Sequence, residues 1–246
     1  MKIKYVLLLI ALLSLSLSAL AHDDALAVSS EDIDVTSGGQ AYQSYIAYPT
    51  DAGSYPAVVL IHSFRGLQQG YRDMTDEFAA EGFVVLAIGW QTFERSPSDA
   101  LVEQLLLDSI AYLSARADVD PMRIGLTGFC AGGRYTMLFM PQIDAFGAGV
   151  AWYGFPNSGD PATPADLVDE LDAPMLIIHG TQDRPSPIAS IYAYATALGE
   201  AGADFELKVY ANEPHSFMLE DGDLSRDDVA TDAFGEMVRY FRRKLG

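Results

Sequence analysis

Short apolar runs alternate along most of the chain with segments in which apolar residues recur at helical spacing. Nearly continuous apolar runs are typical of strands that are buried on both faces of a parallel sheet. They predict strands over residues 41–47, 57–61, 83–88, 123–127, 148–153, 175–178 and 205–210. The intervening segments predict helices over 71–80, 99–115, 134–140, 188–201 and 227–243, with Ser98 and Ser225 as caps. This alternation predicts an α/β fold, a mostly parallel central sheet with helices on both faces.

The first 21 residues depart from this pattern. Lys2 and Lys4 precede an apolar stretch over residues 6–13, and Ala-Leu-Ala follows at 19–21. This order is typical of a secretory signal peptide with an A-x-A cleavage site. We therefore predict a signal peptide over residues 1–21, export to the periplasm or the extracellular space, and a single α/β domain over residues 22–246. An uncleaved membrane anchor is the alternative interpretation of the same run.

The only cysteine of the chain, Cys130, lies in the hexapeptide Gly-Phe-Cys-Ala-Gly-Gly over residues 128–133. The hexapeptide stands between a predicted strand and a predicted helix, which is the context of a nucleophile elbow. Glycines two residues before and after the nucleophile allow the backbone to pack closely there. The free N–H groups at the start of the helix favour a thiolate. The alternative is a buried cysteine that serves only as a small apolar side chain.

An elbow nucleophile of this kind works with an acid and a histidine that follow it in that order. Asp183 stands in a Gly-Thr-Gln-Asp turn after an apolar run, and His215 follows the predicted strand 205–210. Because active sites of open α/β sheets form at the carboxyl ends of the strands, we predict a catalytic triad of Cys130, His215 and Asp183. Taken singly, the aspartate could be only a turn former and the histidine only a surface residue.

An earlier strand-to-loop junction, Ile61-His62-Ser63-Phe64, is the second place where this architecture needs backbone groups. The loop after an early strand supplies one N–H of the oxyanion hole, and the residue after the nucleophile supplies the other. We therefore predict the amides of Phe64 and Ala131 as the two donors. His62 is interpreted as a structural histidine that braces this loop, and His179 as a structural histidine within an apolar strand.

These segments together resemble the dienelactone hydrolase family of α/β-hydrolases. The matching residues are the elbow over 128–134, His-Gly-Thr-Gln-Asp over 179–183, Trp-Tyr-Gly over 152–154 and His-Ser-Phe over 215–217. The resemblance spans residues 32–244 and implies the α/β-hydrolase fold. It also implies an ester or lactone substrate, an acyl-enzyme on the cysteine, and neither a cofactor nor a metal.

Two positions depart from the family members that open dienelactones. Ser63, or a neighbour, stands where those members have a glutamate that takes the proton of the cysteine. Leu219 replaces the arginine, four residues after the histidine, that binds the substrate carboxylate. The resemblance therefore supports the fold and the triad better than a dienelactone substrate. The predicted substrate-binding residues are Ser63, Arg95, Arg134 and Tyr153, with a structural role as the alternative for Arg134.

Other functions stay open at this point. One is a general carboxylesterase without dienelactone activity, a second is cleavage of a thioester or peptide bond, and a third is a non-catalytic binding protein with the same fold. The three share the fold and differ in the substrate pocket or in the use of the triad.

The charge of the chain limits its partners. The chain carries 15 Lys and Arg against 34 Asp and Glu, a net charge of −19, and removal of residues 1–21 with their two lysines lowers it to −21. Such a surface disfavours nucleic acids and anionic membranes. We predict a small-molecule substrate, no nucleic-acid or membrane partner and a monomer. The lysine-poor surface resembles proteins from saline environments, and an ordinary acidic exported enzyme is the equal alternative.

Overall fold

The structure, a computed structural model, describes residues 25–246, so the predicted signal peptide lies outside the described residues. Ten strands run in chain order as β1 Val28–Ser37, β2 Gln40–Pro49, β3 Tyr55–Ile61, β4 Val84–Ile88, β5 Val119–Phe129, β6 Ala148–Trp152, β7 Met175–Gly180, β8 Phe205–Tyr210, β9 Leu219–Glu220 and β10 Asp223–Leu224. Five α-helices accompany them: α1 Gln69–Ala80, α2 Asp99–Ser114, α3 Ala131–Phe139, α4 Ile188–Ala201 and α5 Asp228–Leu245. A 3-10 helix over Pro164–Glu170 precedes β7.

The first eight strands form one sheet in the order β1-β2-β4-β3-β5-β6-β7-β8. Strand β2 pairs antiparallel with both β1 and β4. All pairings from β4 through β3 to β8 are parallel. The predicted class, an α/β fold with a mostly parallel sheet, is therefore confirmed. Because the carboxyl ends of the parallel strands meet at one edge, the loops after β3, β5, β7 and β8 converge there.

Both faces of the sheet are buried, which explains the continuous apolar runs. In β3, Val59 and Ile61 contact the core on one face, and Val58 and Leu60 contact the core on the other. Helices α2, α3 and α4 contribute side chains to the first core. Helices α1 and α5 contribute to the second. Successive side chains of a strand point to opposite faces, so a strand buried on both faces contains few polar residues.

Several local predictions differ from the structure, in strand or helix bounds and in the unpredicted pair β9 and β10, and the three main differences concern β1, α3 and α5. Strand β1 was not predicted, because its residues are largely exposed at the edge of the sheet and include three acids, a composition that favours a loop. Helix α3 begins at Ala131 rather than at residue 134, since Gly132 and Gly133 pack directly on the sheet instead of breaking the helix. The cap of α5 is Asp227, which accepts a hydrogen bond from the Ala230 N–H, so the prediction of Ser225 was wrong.

The other predicted cap is confirmed. The Ser98 side chain accepts a hydrogen bond from the Leu101 N–H at the start of α2. Among residues 25–246, none of the helices combines the length and the apolarity needed to cross a bilayer.

Candidate active site

Cys130 occupies a sharp turn between β5 and α3. Its backbone has φ 58° and ψ −112°, a conformation that non-glycine residues rarely adopt and that marks local strain. The Cys130 N–H donates to the Trp152 carbonyl at 3.1 Å, and the Cys130 carbonyl accepts from the Arg134 N–H at 3.0 Å. The thiol is partly exposed at the first turn of α3. The turn thus presents a sulfur atom at the amino end of a helix.

The glycines of the elbow have no room for a side chain. A Cβ atom at Gly132 would lie 2.1 Å from the Ile61 carbonyl oxygen, and one at Gly133 would lie 2.2 Å from the Trp152 carbonyl oxygen. A Cβ atom at Gly128 would lie 2.2 Å from the Gly132 carbonyl oxygen. The obstacles are backbone atoms, which cannot swing away as a flexible side chain can. These contacts allow α3 to begin against the sheet.

We expect Gly132→Ala to lower the free energy of unfolding by about 3 kcal/mol, because overpacking against backbone costs that much. For a domain of this size the melting temperature should fall by roughly 6–12 °C, as thermal denaturation would measure. Gly199→Ala in α4 is the matched control. Its nearest obstacle is a Phe205 ring carbon at 3.8 Å, so alanine should leave the stability unchanged or raise it. Equal melting temperatures for the two variants would contradict this account of the elbow.

Asp183 and His215 meet at the carboxyl edge of the sheet. Asp183 lies in the turn after β7 and His215 in the loop after β8, which pair in parallel. Asp183 Oδ2 lies 2.7 Å from His215 Nδ1, while Asp183 Oδ1 accepts from the Ser186 N–H at 2.8 Å. The Asp183 side chain is fully buried and the His215 side chain is 14% exposed. The structure therefore brings two of the three predicted triad residues into direct contact.

The Cys130 thiol influences the titration of His215. Burial opposes a charge on His215, but hydrogen bonds and the negative charges of Asp183 and Cys130 raise its pKa from 6.5 to about 9. His215 Nε2 is buried and has no nitrogen or oxygen partner among the described residues. This nitrogen is therefore free of the Asp183 contact, and the raised pKa favours the protonated form of the imidazole.

The loop after β3 is a tight turn built around Ser63. The Ser63 hydroxyl accepts from the Arg65 N–H at 3.3 Å, and the Ser63 carbonyl accepts from the Gly66 N–H at 3.1 Å. His62 Nδ1 lies 2.7 Å from the same carbonyl, and the His62 ring stacks on Trp90. Burial lowers the pKa of His62 to about 4, so it is neutral. The predicted structural role of His62 agrees with these contacts, which join its ring to the loop and to Trp90.

The two predicted oxyanion donors are backbone amides beside Cys130. Phe64 lies in the loop after β3, and Ala131 is the first residue of α3. Strands β3 and β5 are parallel neighbours, so their carboxyl ends bring the two loops together. Within residues 25–246, neither the Phe64 nor the Ala131 N–H donates a hydrogen bond to protein. Both amides are available to an oxygen atom of a ligand.

Tyr153 lies in the loop after β6, with its ring edge against His215 at 5.1 Å between centroids. Its backbone φ is 35°, and its hydroxyl is fully buried with no partner among the described residues. Burial raises the pKa of Tyr153 well above its usual value, and the nearby acidic groups of Tyr71, Cys130 and Asp183 add to the shift. The hydroxyl is a neutral donor held beside the cluster.

The two predicted substrate-binding arginines differ in their surroundings. Arg134 is paired with Asp99 through both terminal nitrogens, and its Nε donates to the Ser158 carbonyl at 2.6 Å. Its donors are therefore already engaged. Arg95 is exposed, lies over the Phe64 ring at 4.6 Å, and lines a cavity of about 410 Å³ together with Phe64 and Arg65. Of these two arginines, Arg95 is the one that lines an open cavity.

Sequence reasoning missed the residues that surround the Asp183 carboxylate. Ser186 donates to Asp183, and its three-residue spacing from an aspartate in a turn was an available signal. His179 lies 3.4 Å from Asp183 Oδ2, although it was interpreted only as a buried strand residue. Within the described part of the chain, no three His, Cys, Asp or Glu side chains are arranged to hold a metal ion.

Comparisons with known proteins identify the family of this chain. The model of the dienelactone hydrolase family matches residues 42–245. An Escherichia coli (strain K12) protein described as "Putative carboxymethylenebutenolidase" is 30% identical over 246 residues, which cover 91% of this chain and 90% of that protein. A "Probable 2-oxo-3-(5-oxofuran-2-ylidene)propanoate lactonase" from Bradyrhizobium sp is 26% identical and covers 87% of this chain and 94% of the relative.

A solved structure shows the same likeness in three dimensions. The crystal structure of a "Putative Dienelactone Hydrolase" from Klebsiella pneumoniae subsp. pneumoniae superimposes with a TM-score of 0.81 at 26% identity. The match covers 88% of this chain and 99% of that one. The chain therefore belongs to the dienelactone hydrolase family of α/β-hydrolases and is a hydrolase of the lactone and ester type.

Proposed function

We propose that the protein cleaves carboxylic esters and lactones through an acyl-enzyme on Cys130. His215 transfers protons in both half-reactions, and Asp183 orients its imidazole. The observation that carries this proposal is the 2.7 Å contact between Asp183 and His215 beside a cysteine on a strained elbow. The partly exposed thiol, with a helix amino end behind it, supports a nucleophile rather than a structural cysteine.

Acylation begins from a thiolate and an imidazolium. The Cys130 sulfur forms a bond to the carbonyl carbon of the substrate, and the oxygen that becomes negative accepts hydrogen bonds from the amides of Phe64 and Ala131. The C–O bond to the leaving group then breaks as His215 Nε2 gives its proton to the departing oxygen. The products of this half-reaction are a thioester on Cys130 and a free alcohol, or one ring-opened acyl chain from a lactone.

Deacylation returns the enzyme to its first state. Neutral His215 takes a proton from water, the oxygen of that water bonds to the thioester carbon, and the sulfur leaves as a thiolate. Asp183 stabilises the imidazolium that forms and keeps Nδ1 as the protonated nitrogen. The acid is released, and the cysteine is free for another substrate.

Cysteine activation by His215 alone is the form of catalysis that this site favours. Ser63 has no acidic group and is engaged in the turn after β3, so no carboxylate is available there to hold the thiol proton. The raised pKa of His215, about 9, instead keeps the imidazole protonated at neutral pH. We infer that His215, with no carboxylate at position 63 to help it, is the group that takes the thiol proton.

The substrate pocket supports ester and lactone substrates with an apolar acyl group. Rings of Tyr153 and Phe155 lie 5.1 and 5.5 Å from the His215 ring, measured between centroids. Leu219 packs against the apolar core near α1 and offers no charge. If the substrate carries an acid group, Arg65 and Arg95 are the cations that line the cavity beside Phe64. Arg134, which is paired with Asp99, is not assigned to substrate.

Trapping the intermediate tests the proposed chemistry. Mixing the protein with excess p-nitrophenyl acetate should release nitrophenol in a burst of about one equivalent, because formation of a thioester precedes its hydrolysis. Acid quenching followed by peptide mass spectrometry should place one acetyl group on Cys130. An acetyl group on a lysine or tyrosine, with Cys130 unmodified, would contradict the proposal.

The same preparation separates the two enzyme functions that the sequence left open. A dienelactone hydrolase should prefer a carboxylated dienelactone over p-nitrophenyl acetate in kcat/KM, whereas a general carboxylesterase should show the reverse. The loss of the family glutamate and arginine at Ser63 and Leu219 favours the carboxylesterase. Export also remains part of this proposal and rests on the pattern of residues 1–21.

A further inference from the structure

His179 is a second buried histidine beside the Asp183 carboxylate, and the mechanism above does not use it. We propose that His179 is a positioning residue, which holds the turn over residues 183–186 so that Asp183 faces His215 in one fixed orientation. This inference deepens the proposed function and rests on it. It assigns to the end of β7 a role in proton transfer rather than in the stability of the core.

The contacts of His179 all lead to that turn. The side chain has no exposed surface, and its Nε2 lies 2.8 Å from the Ser186 carbonyl oxygen and 3.4 Å from Asp183 Oδ2. A carbonyl oxygen only accepts, so Nε2 carries the proton and donates it to Ser186. The same N–H points close enough to the carboxylate to favour its negative charge.

Ser186 connects His179 to the Asp183 carboxylate. Its N–H donates to Asp183 Oδ1 at 2.8 Å, and its hydroxyl donates to the Gly154 carbonyl at 2.6 Å. Asp183 Oδ1 is thus held by Ser186, while Oδ2 faces His215 at 2.7 Å and His179 at 3.4 Å. Ser186 makes three hydrogen bonds, through its N–H, its hydroxyl and its carbonyl oxygen. Without the His179 donor, the hydrogen bond to the carbonyl oxygen is lost. The carboxylate could then rotate away from His215.

The remaining nitrogen of His179 is a polar atom buried in the core. Since Nε2 carries the proton, Nδ1 is an acceptor, and it is buried without a partner among the described residues. Burial lowers the pKa of His179, so the ring is neutral. An unpaired buried acceptor costs free energy that an apolar side chain would not. His179 lowers the stability of the core through this unpaired nitrogen, yet it contacts Asp183. A role in positioning Asp183 explains both observations.

The charged groups around His215 determine how a substitution of His179 would change the pKa of His215. Asp183 and Cys130 are the groups that raise its pKa, and the Tyr153 and Phe155 rings beside it are uncharged. His179 is neutral, and both His179 and His215 lie against the Asp183 carboxylate. A change at His179 therefore alters the titration of His215 by way of the carboxylate. The high-pH limb of kcat/KM reports that titration.

The test compares His179→Leu with His179→Gln. Glutamine retains an amide N–H donor at about the distance of Nε2, whereas leucine fills similar space with no donor. We expect His179→Leu to lower kcat on p-nitrophenyl acetate by roughly 10- to 100-fold, the range found when a supporting hydrogen-bond partner is removed. The high-pH limb of its kcat/KM profile should lie at lower pH than that of wild type, because a displaced Asp183 raises the pKa of His215 less. His179→Gln should recover most of kcat and most of the limb position.

One result would be that folded His179→Leu differs from wild type only by a lower melting temperature, with kcat and the high-pH limb of kcat/KM unchanged. That result would overturn the proposal and leave His179 a structural role. If the leucine variant does not fold, the glutamine variant carries the test, because a positioning role requires its limb to stay near the wild-type value. Failure of the proposed function looks different: Cys130→Ala would then be as active as wild type. In that case the inference falls with it.

Discussion

Cys130→Ala should abolish ester hydrolysis. Removal of the sulfur eliminates the covalent route, and removal of a nucleophile in comparable triads lowers kcat by about 10⁴- to 10⁶-fold. Residual turnover would come from bound water and from the amides of Phe64 and Ala131. Initial rates on p-nitrophenyl acetate, with wild type and variant matched for active concentration, measure the effect. Alanine keeps the Cβ atom that the backbone at φ 58° already tolerates, so the fold should survive.

The control for this variant is Cys130→Ser. A hydroxyl replaces the thiol with little change in shape, but it does not ionise at neutral pH, so activity should be low and not absent. Circular dichroism and melting temperature of both variants should match wild type. An alanine variant with more than a few per cent of wild-type kcat, free of contaminating esterase, would show that another residue attacks the substrate.

Asp183→Asn should give the second-largest loss, about 10³- to 10⁴-fold in kcat, because an amide cannot stabilise the imidazolium and favours the wrong tautomer of His215. The asparagine oxygen can still accept from the Ser186 N–H, so the turn should keep its shape. The measurement is the pH profile of kcat/KM between pH 5 and roughly 10. A kcat within tenfold of wild type would contradict the assigned role of Asp183.

The direction of the pH effect follows from the raised pKa of His215. The ion pair requires a protonated imidazole, so wild-type activity should fall as the pH rises through about 9. Removal of the Asp183 charge removes a cause of the upward shift, and the high-pH limb should move to lower pH. The attraction between the His215 imidazolium and the Asp183 carboxylate also stabilises the fold. That contribution is complete below the unfolded value near 6.5 and is lost as the pH rises through about 9.

Much of this site could be predicted because each part follows a strand with a strong apolar pattern. Strand β8 and helix α4 were predicted with their observed bounds, since their ends coincide with clear changes of pattern. The order of Cys130, Asp183 and His215 then placed all three at one edge of the sheet. This placement requires only that the strands are parallel, because the carboxyl ends of parallel strands lie at the same edge.

The parts that sequence could not supply depend on contacts between distant segments. The prediction begins helix α3 only at residue 134, because the contact that requires Gly132 involves the Ile61 carbonyl on another strand and leaves no local signal. The pairing of Arg134 with Asp99 joins α3 to α2 and has no local signature. The contact of His179 with Asp183 is local in sequence, yet its meaning appears only when both side chains are seen to be buried.

The acidic outer strand described above has a further consequence for how copies of the protein behave in solution. A sheet edge with free N–H and C=O groups can join the edge of another molecule, which is a route to aggregation. Strand β1 places Glu31, Asp32 and Asp34 along that edge. Asp32 pairs with Arg72, and the remaining acidic charges of two such edges repel at neutral pH. At the opposite edge, β8 is flanked by ion pairs that join Glu206 and Lys208 to α5. Both open margins of the sheet are thus protected by charge, and the molecules should stay dispersed at high concentration.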